Sequence, residues 1–160
     1  MFSATAVLAA PVDRVTELLL TAHPGPVGPA NGWLLYRSGY PAGPATLRGG
    51  PYRFEVVADD VRTLYLDIDR DRRIAALQGG WWYRGEYEVA AEAADQTRLT
   101  YRVRNVAAQP TWLVALSHRL FIGYRRTMRR ALIALCADIE RDLGAGATQS
   151  PRARPSDELC

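Results

Sequence analysis

Tyr83 and Tyr87 stand in the stretch QGGWWYRGEYEV (Gln78–Val89), and Tyr101 follows in TRLTYRVRN. A phenol both donates and accepts a hydrogen bond and stays neutral at physiological pH, so phenols on an apolar wall can orient a flat or oxygen-bearing molecule without charge. By the two-residue period of an extended chain, Tyr83, Gly85, Tyr87 and Val89 share one face, and Trp82, Arg84, Glu86 and Glu88 share the other. A packing core more often uses Leu, Ile or Val where these tyrosines stand. Two readings follow: a pocket wall, or core residues whose hydroxyls reach a carbonyl. Trp81 and Trp82 are read as shielding the end of the barrel or the hairpin rather than stacking on a ligand.

Other chemistries find less support. The two histidines, His23 and His118, are far apart and have no cysteine beside them, so no metal site is expected. Both are read as surface residues. All 20 basic residues are arginines, which excludes a lysine Schiff base. Ser38 lies in YRSGY, outside a nucleophile elbow, and Ser117 is merely next to His118. The Pro/Gly run at residues 25–32 has prolines where phosphate-binding amides are needed, and no nucleotide or other cofactor is expected. Asp67, Asp69, Glu86 and Glu88 alternate outward, which disfavours a facing pair of catalytic carboxylates. No catalytic residue is assigned.

The elements that must position the tyrosines are legible as a change of period. Phe2–Leu8 alternates as a first strand, and Pro11 marks the entry to a helix with Val12, Val15, Leu18 and Leu19 on one face. His23–Gly32 reads as turn or short irregular helix, WLLYR as a second strand, and GYPAGPATLRGGP as loop. Five extended segments follow: YRFEVVA, RTLYLDI, RIAALQ, WWYRGEYEVA and TRLTYRVRN. From Trp112 to about Leu143, apolar residues including Leu116, Leu120, Phe121, Tyr124, Met128, Ala131, Leu135 and Ile139 recur at three and four, which predicts one helix of roughly 30 residues.

The order predicts an α+β fold in which about seven antiparallel strands curve around the long C-terminal helix, with two short helices after the first strand. Tyr52, Phe54, Val56, Leu64, Leu66, Ile68, Tyr83, Tyr87, Leu99, Tyr101 and Val103 are expected to face that helix. Arg53, Glu55, Asp67, Arg84, Glu86, Arg98, Arg102 and Arg104 are expected to face away. Residues 1–144 are read as one domain and 145–160, which lack periodicity, as a disordered tail.

Net charge is +3 and the pI about 9.1, too weakly basic to imply nucleic acid, and no nucleic-acid partner is expected. Two cysteines, Cys136 and Cys160, make no disulfide framework and fit a reducing cytoplasm. MFSATAVLAAP lacks the basic start of a signal peptide, and no run reaches the ~18 apolar residues of a membrane span. On the long helix, Arg126 and Arg130 oppose the apolar stripe beside Arg125 and Arg129, with Ile133 among them. This face is read as solvated, with an anionic surface as the alternative. Asp138, Glu140 and Asp142 crowd the helix's C-terminal end, against the macrodipole preference.

The element order, the hairpin residues Gly85, Tyr87 and Val89 followed by Thr97, Arg98, Leu99, Thr100 and Tyr101, and the helix entry AAPVDRVTELL together resemble the START-like (SRPBCC) superfamily of helix-grip proteins. Polyketide cyclases/dehydrases and lipid-transport domains belong to it. Asp95-Gln96 departs from the glycines usual before that threonine, and the Pro/Gly-rich segment 24–51 fits the pattern poorly. The resemblance implies a cavity between sheet and helix that binds a small hydrophobic molecule, aromatic or lipid-like. The candidate lining is Tyr52, Phe54, Leu64, Leu66, Tyr83, Tyr87, Tyr101, Phe121 and Tyr124. The alternatives are a polyketide aromatase/cyclase of the same fold and an interaction protein acting through the arginine face. A monomer or homodimer is expected.

Overall fold

The computed structural model describes residues 2–39, 41–79, 83–105 and 124–148. Its elements are β1 (Phe2–Leu8), α1 (Val12–Leu20), β2 (Gly25–Pro26), α2 (Trp33–Ser38), β3 (Thr46–Gly49), β4 (Arg53–Ala58), β5 (Val61–Asp69), β6 (Ile74–Gly79), β7 (Tyr83–Ala93), β8 (Gln96–Asn105) and α3 (Tyr124–Thr148). The strands form one open antiparallel sheet in the order β1-β8-β7-β6-β5-β4-β3-β2. Register shifts at Val56/Val57 and Ala91/Ala93 mark β-bulges, which bend the sheet locally. Among the described residues no helix is long and apolar enough to cross a membrane.

Alternation is obeyed where the strands are regular. Phe54, Val56, Leu64, Leu66, Ile68, Leu99 and Tyr101 are buried, and Tyr87 and Val103 pack half-buried against the same core. Opposite them, Asp67 binds Arg53 at 2.6 Å and also pairs with Arg84. Glu86 binds Arg84 at 2.9 Å and Arg104 at 3.1 Å. Burial alone would raise the Asp67 carboxyl, but hydrogen bonds from Arg53 and Arg84 reverse this and hold it below its ordinary value. The outer face is therefore a self-neutralising lattice of charges.

Two sequence motifs meet at the head of α1. The buried Thr97 hydroxyl donates to the Ala10 carbonyl at 2.7 Å, tying the β8 threonine to the turn that Pro11 caps. From there Val15, Leu19 and Leu20 go into the core.

Three expectations are corrected. WLLYR is a helix, α2, and not a strand: Trp33, Leu34 and Leu35 are all buried, because a single helical turn wedged into the core buries neighbouring residues. It stops where Gly39 takes a left-handed conformation, φ 63°, which a glycine adopts without steric cost. The Pro/Gly loop contains β3; with two-residue β2 the sheet has eight strands among the described residues, in keeping with the about seven expected. Tyr52 is 75% exposed, since it precedes the first residue of β4 and follows the turn at Gly49–Pro51, where strand parity no longer applies. The segment before β3 is organised by buried Asn31, whose side chain accepts from the His23 N–H at 2.9 Å and donates to the His23 and Pro26 carbonyls.

In α3 the buried row is Leu132, Cys136 and Ile139, flanked by half-buried Met128, Leu135 and Leu143. Ala131, expected on the apolar stripe, is exposed; the stripe is rotated towards Leu132 and Cys136. The helix continues past the end expected near Leu143, to Thr148. Its predicted portion from Trp112 to Gly123 lies outside the described residues, as do Trp81, Trp82, Ser117, His118, Phe121 and residues 149–160.

Candidate functional site

A cavity of about 310 Å³ lies where α3, α2 and the β7–β8 hairpin meet. Its floor is the Tyr87–Tyr101 pair, directly opposed in the β7–β8 register, with ring centroids 4.5 Å apart and planes tilted by 32°. Aromatic rings favour offset or tilted contact at this separation, so the pair is a rigid, largely apolar surface. Met128, Ala131, Leu132, Ala134, Leu135 and Asp138 of α3 form one wall, and Leu34, Arg37 and Ser38 of α2 form the other. The volume falls at the small end of ligand pockets, which run from about 300 to 1,000 Å³. A cavity of about 150 Å³ holds benzene, so twice that suits roughly two fused rings.

The α2 wall is fixed to α3 by a three-residue latch. Arg37 Nε and Nη2 bind both carboxylate oxygens of Asp142, at 2.5 to 3.0 Å, and the Trp33 indole N–H donates to Asp142 Oδ2 at 2.8 Å. The Arg37 guanidinium also stands 5.5 Å from the Tyr36 ring centroid. Hydrogen bonding from Arg37, opposed by burial and helped by Trp33, holds the Asp142 carboxyl below its ordinary value, and the same pairing raises Arg37. Because α3 continues to Thr148, Asp138, Glu140 and Asp142 lie before its last turn, where the helix dipole weighs little, and each has a specific partner. Asp142 grips α2, Glu140 accepts the Ala9 N–H at 2.6 Å, and Asp138 pairs with Arg141.

Of the sequence-predicted lining, the structure brings Tyr87 and Tyr101 together at the cavity. Phe54, Leu64 and Leu66 are buried in the core and do not line it. Tyr52 is out in solvent. Tyr83 pairs through its backbone with Gly79 and Asn105, and Tyr124 begins the described part of α3; the side chains of both lie outside the described residues, as does the whole of Phe121. Sequence reasoning misses the α2 contribution because WLLYR scans as extended. Leu34, Arg37 and Ser38 carry the helical spacing of three and four that could have revealed it.

The described lining of the cavity is mostly apolar, with the Tyr87 and Tyr101 phenols among it. Arg37 and Asp138 are the charged groups among its described lining residues. Cys136, on the core side of α3, has its thiol pushed up to about 11 by burial and by Glu140, so it carries almost no thiolate at neutral pH. No group of three or more potential metal ligands occurs among the described residues. A second depression of about 390 Å³, between α1, Pro29–Ala30 and Asp142–Leu143, is an open groove without aromatic lining.

No family model matches the sequence, and a search of curated proteins finds no match. Solved structures do match. The Zhui aromatase/cyclase from Streptomyces sp. R1128 aligns with a TM-score of 0.51 at 20% identity, over 89% of this chain and 94% of that one. A protein from Thermus thermophilus aligns with a TM-score of 0.44 at 16% identity, over 90% of this chain and 97% of its own. The di-domain ARO/CYC StfQ from the steffimycin pathway aligns at 0.42 and 14% identity, over 88% of this chain and 45% of its own. The antiparallel sheet, the short helices after β1 and the C-terminal helix, together with the likeness to the Zhui aromatase/cyclase, show that this chain shares the helix-grip fold of that protein.

Proposed function

We propose that this protein binds a flat, largely apolar molecule of about two fused rings in the cavity between α3 and the β7–β8 hairpin. The observation that carries the reading is the Tyr87–Tyr101 pair flooring a space of about 310 Å³ that the aliphatic side chains of α3 leave open. The apolar walls supply affinity, and Arg37, held by Asp142, supplies a polar group at one side that can fix orientation. A micromolar-range constant, about −8 kcal/mol, is the expected strength for a naphthol or an apolar fluorescent dye.

The test is a dye titration on the native protein and on Ala131→Trp. Ala131 lines the cavity yet is exposed, so the larger side chain can enter the opening without disturbing the buried row. Binding should weaken at least about tenfold with the melting temperature little changed, a loss of ~1.4 kcal/mol. Undetectable binding, or binding indifferent to Ala131→Trp, would sink the proposal.

An aromatase/cyclase is the second reading, favoured by the likeness to Zhui over nearly the whole chain. The protein would then fold a linear polyketone against the tyrosine floor and assist enolisation or dehydration through phenol, guanidinium or ordered water. Catalytic conversion of such a chain, abolished by Ala131→Trp, separates an enzyme from a carrier. Stoichiometric binding without turnover leaves the carrier.

A further inference from the structure

The charges at the cavity cancel. Arg37 and Asp138 belong to its described lining, and each is matched by a group just outside it: Arg37 by Asp142, and Asp138 by Arg141. Two guanidiniums and two carboxylates leave no net charge there. Within this balanced set Arg37 still has donors to offer. A guanidinium carries one N–H on Nε and a pair on each terminal nitrogen. Nε and Nη2 are spent on Asp142, and the pair on Nη1 has no partner among the described residues. The group is also held in place, since Asp142 takes it through both oxygens and is itself fixed by the Trp33 indole.

We propose that the cavity selects a ring compound bearing a neutral oxygen, a ketone or a hydroxyl, and rejects the carboxylate of the same shape, with Arg37 Nη1 as the selecting donor. This rests on the binding proposed above for the cavity and adds the polarity of what is bound. A carboxylate that leaves water for an apolar wall must find a cation whose charge is not already matched. Arg37 is matched by Asp142, and Asp138 places a second carboxylate on the lining itself. An anion therefore gives up its hydration without an equivalent return. A neutral carbonyl oxygen gives up less and gains a bond from a charged, pre-positioned donor. A purely apolar molecule would leave that donor without an acceptor. The lone arginine at the cavity thus acts as a hydrogen-bond donor more than as a charge.

The test is a calorimetric titration of the full chain, at about pH 7, with three bicycles of nearly one shape: 2-acetylnaphthalene, 2-naphthoate and 2-ethylnaphthalene. The ketone should bind tightest, about threefold to tenfold better than the ethyl compound. Burial alone would rank those two the other way, because the ethyl group is the more apolar. Naphthoate should be about tenfold or more weaker than the ketone. Arg37→Met keeps an unbranched stem without the donors and should level the ketone with the ethyl compound. Asp138→Asn removes the carboxylate from the lining and should narrow the gap between ketone and naphthoate about threefold or more. Naphthoate binding as tightly as the ketone overturns the proposal, and so does an ethyl compound that equals or exceeds the ketone. A preference for the ketone that survives in Arg37→Met removes Arg37 from the role. The ranking on the native protein decides even where that variant does not fold. Failure of all three compounds to bind sinks the cavity as a binding site and this inference with it, whereas binding in the wrong order overturns this inference alone.

Discussion

Along β4, β5 and β6 the concave face carries Phe54, Val56, Leu64, Leu66, Ile68 and Ala75, all 5% exposed or less, whereas across β7 and β8 the corresponding rows carry Gly85, Tyr87, Val89, Leu99, Tyr101 and Val103. The first set is aliphatic apart from one phenylalanine and closes on itself. The second contains a glycine with no side chain and two broad rings that lie against each other. Rings paired in this way cover a strand but do not reach far above it. With the stripe of α3 rotated towards Leu132, Cys136 and Ile139, small Ala131 and Ala134 are left over the tyrosines, and the space between remains open. One sheet face therefore makes a solid core at one end and a container at the other.

A matched pair of truncations gives the strongest test of that division. Leu66 is 1% exposed within the packed half, and Leu135 is half-buried on the cavity wall. Leu66→Ala leaves a hole that close-packed neighbours fill only partly and should cost about 3 kcal/mol or more. Leu135→Ala merely enlarges an existing space and should cost about 1 kcal/mol. Ligand affinity should respond in the opposite order, falling for Leu135→Ala and holding for folded Leu66→Ala. Urea titrations and dye binding on the two variants read both effects. Equal stability losses would mean that the two ends are packed alike.

A smaller effect is expected from Gly50→Ala at the rim of the packed half. Gly50 has φ 105°, and an added Cβ would lie 2.6 Å from Phe54 Cε1 and 2.8 Å from Cζ. Phe54 is 1% exposed and has no room to retreat, so backbone strain and overpacking should together cost about 1–3 kcal/mol. A variant as stable as the parent in thermal unfolding would show that the ring yields easily and that this end is looser than it looks. Dye affinity should not change, because Gly50 is far along the sheet order from the tyrosine pair.

How much of this is legible in the sequence depends on whether the pattern comes from within an element or between elements. β4, β5, β7 and β8 are legible because each has one face in the core and one in the charge lattice, and the period of two records both, whereas β6, with Ala75, Ala76 and Leu77 all buried, is legible only as a short apolar run between turn residues. Tyr87 and Tyr101 follow from that parity. Tyr52 fails by one residue, because strand parity has no meaning in the turn before β4. WLLYR fails because the run of three buried residues, Trp33, Leu34 and Leu35, hides the helical spacing of Leu34, Arg37 and Ser38. Arg37, Trp33 and Asp142 form a contact across more than a hundred positions of sequence, for which a single chain offers no local signal. Asp142 looks misplaced only while the helix is taken to end near Leu143; α3 in fact runs on to Thr148.

The latch supplies the smallest expected effect and sharpens what holds the open half together. Asp142→Asn keeps an oxygen to accept the Trp33 N–H but removes the charge that grips Arg37 on both oxygens. The Asp142 carboxyl is held below its ordinary value of 3.8 in the folded protein, chiefly by its hydrogen bond with Arg37. A depressed folded value means the pair contributes its full stability above the unfolded value and loses it as pH falls through the folded one. The parent should therefore melt a few degrees above Asp142→Asn from about pH 7 to about pH 5, with the gap closing below about pH 4. Asp67, shifted in the same direction, is present in both proteins and cancels from the difference. Because α2 forms a wall of the cavity, the variant should also bind dye more weakly at neutral pH and approach the parent in acid. A melting gap that stays constant from pH 7 to about pH 3 would mean that the carboxyl is not what joins α2 to α3, leaving the indole and the buried leucines of α2 to hold that wall.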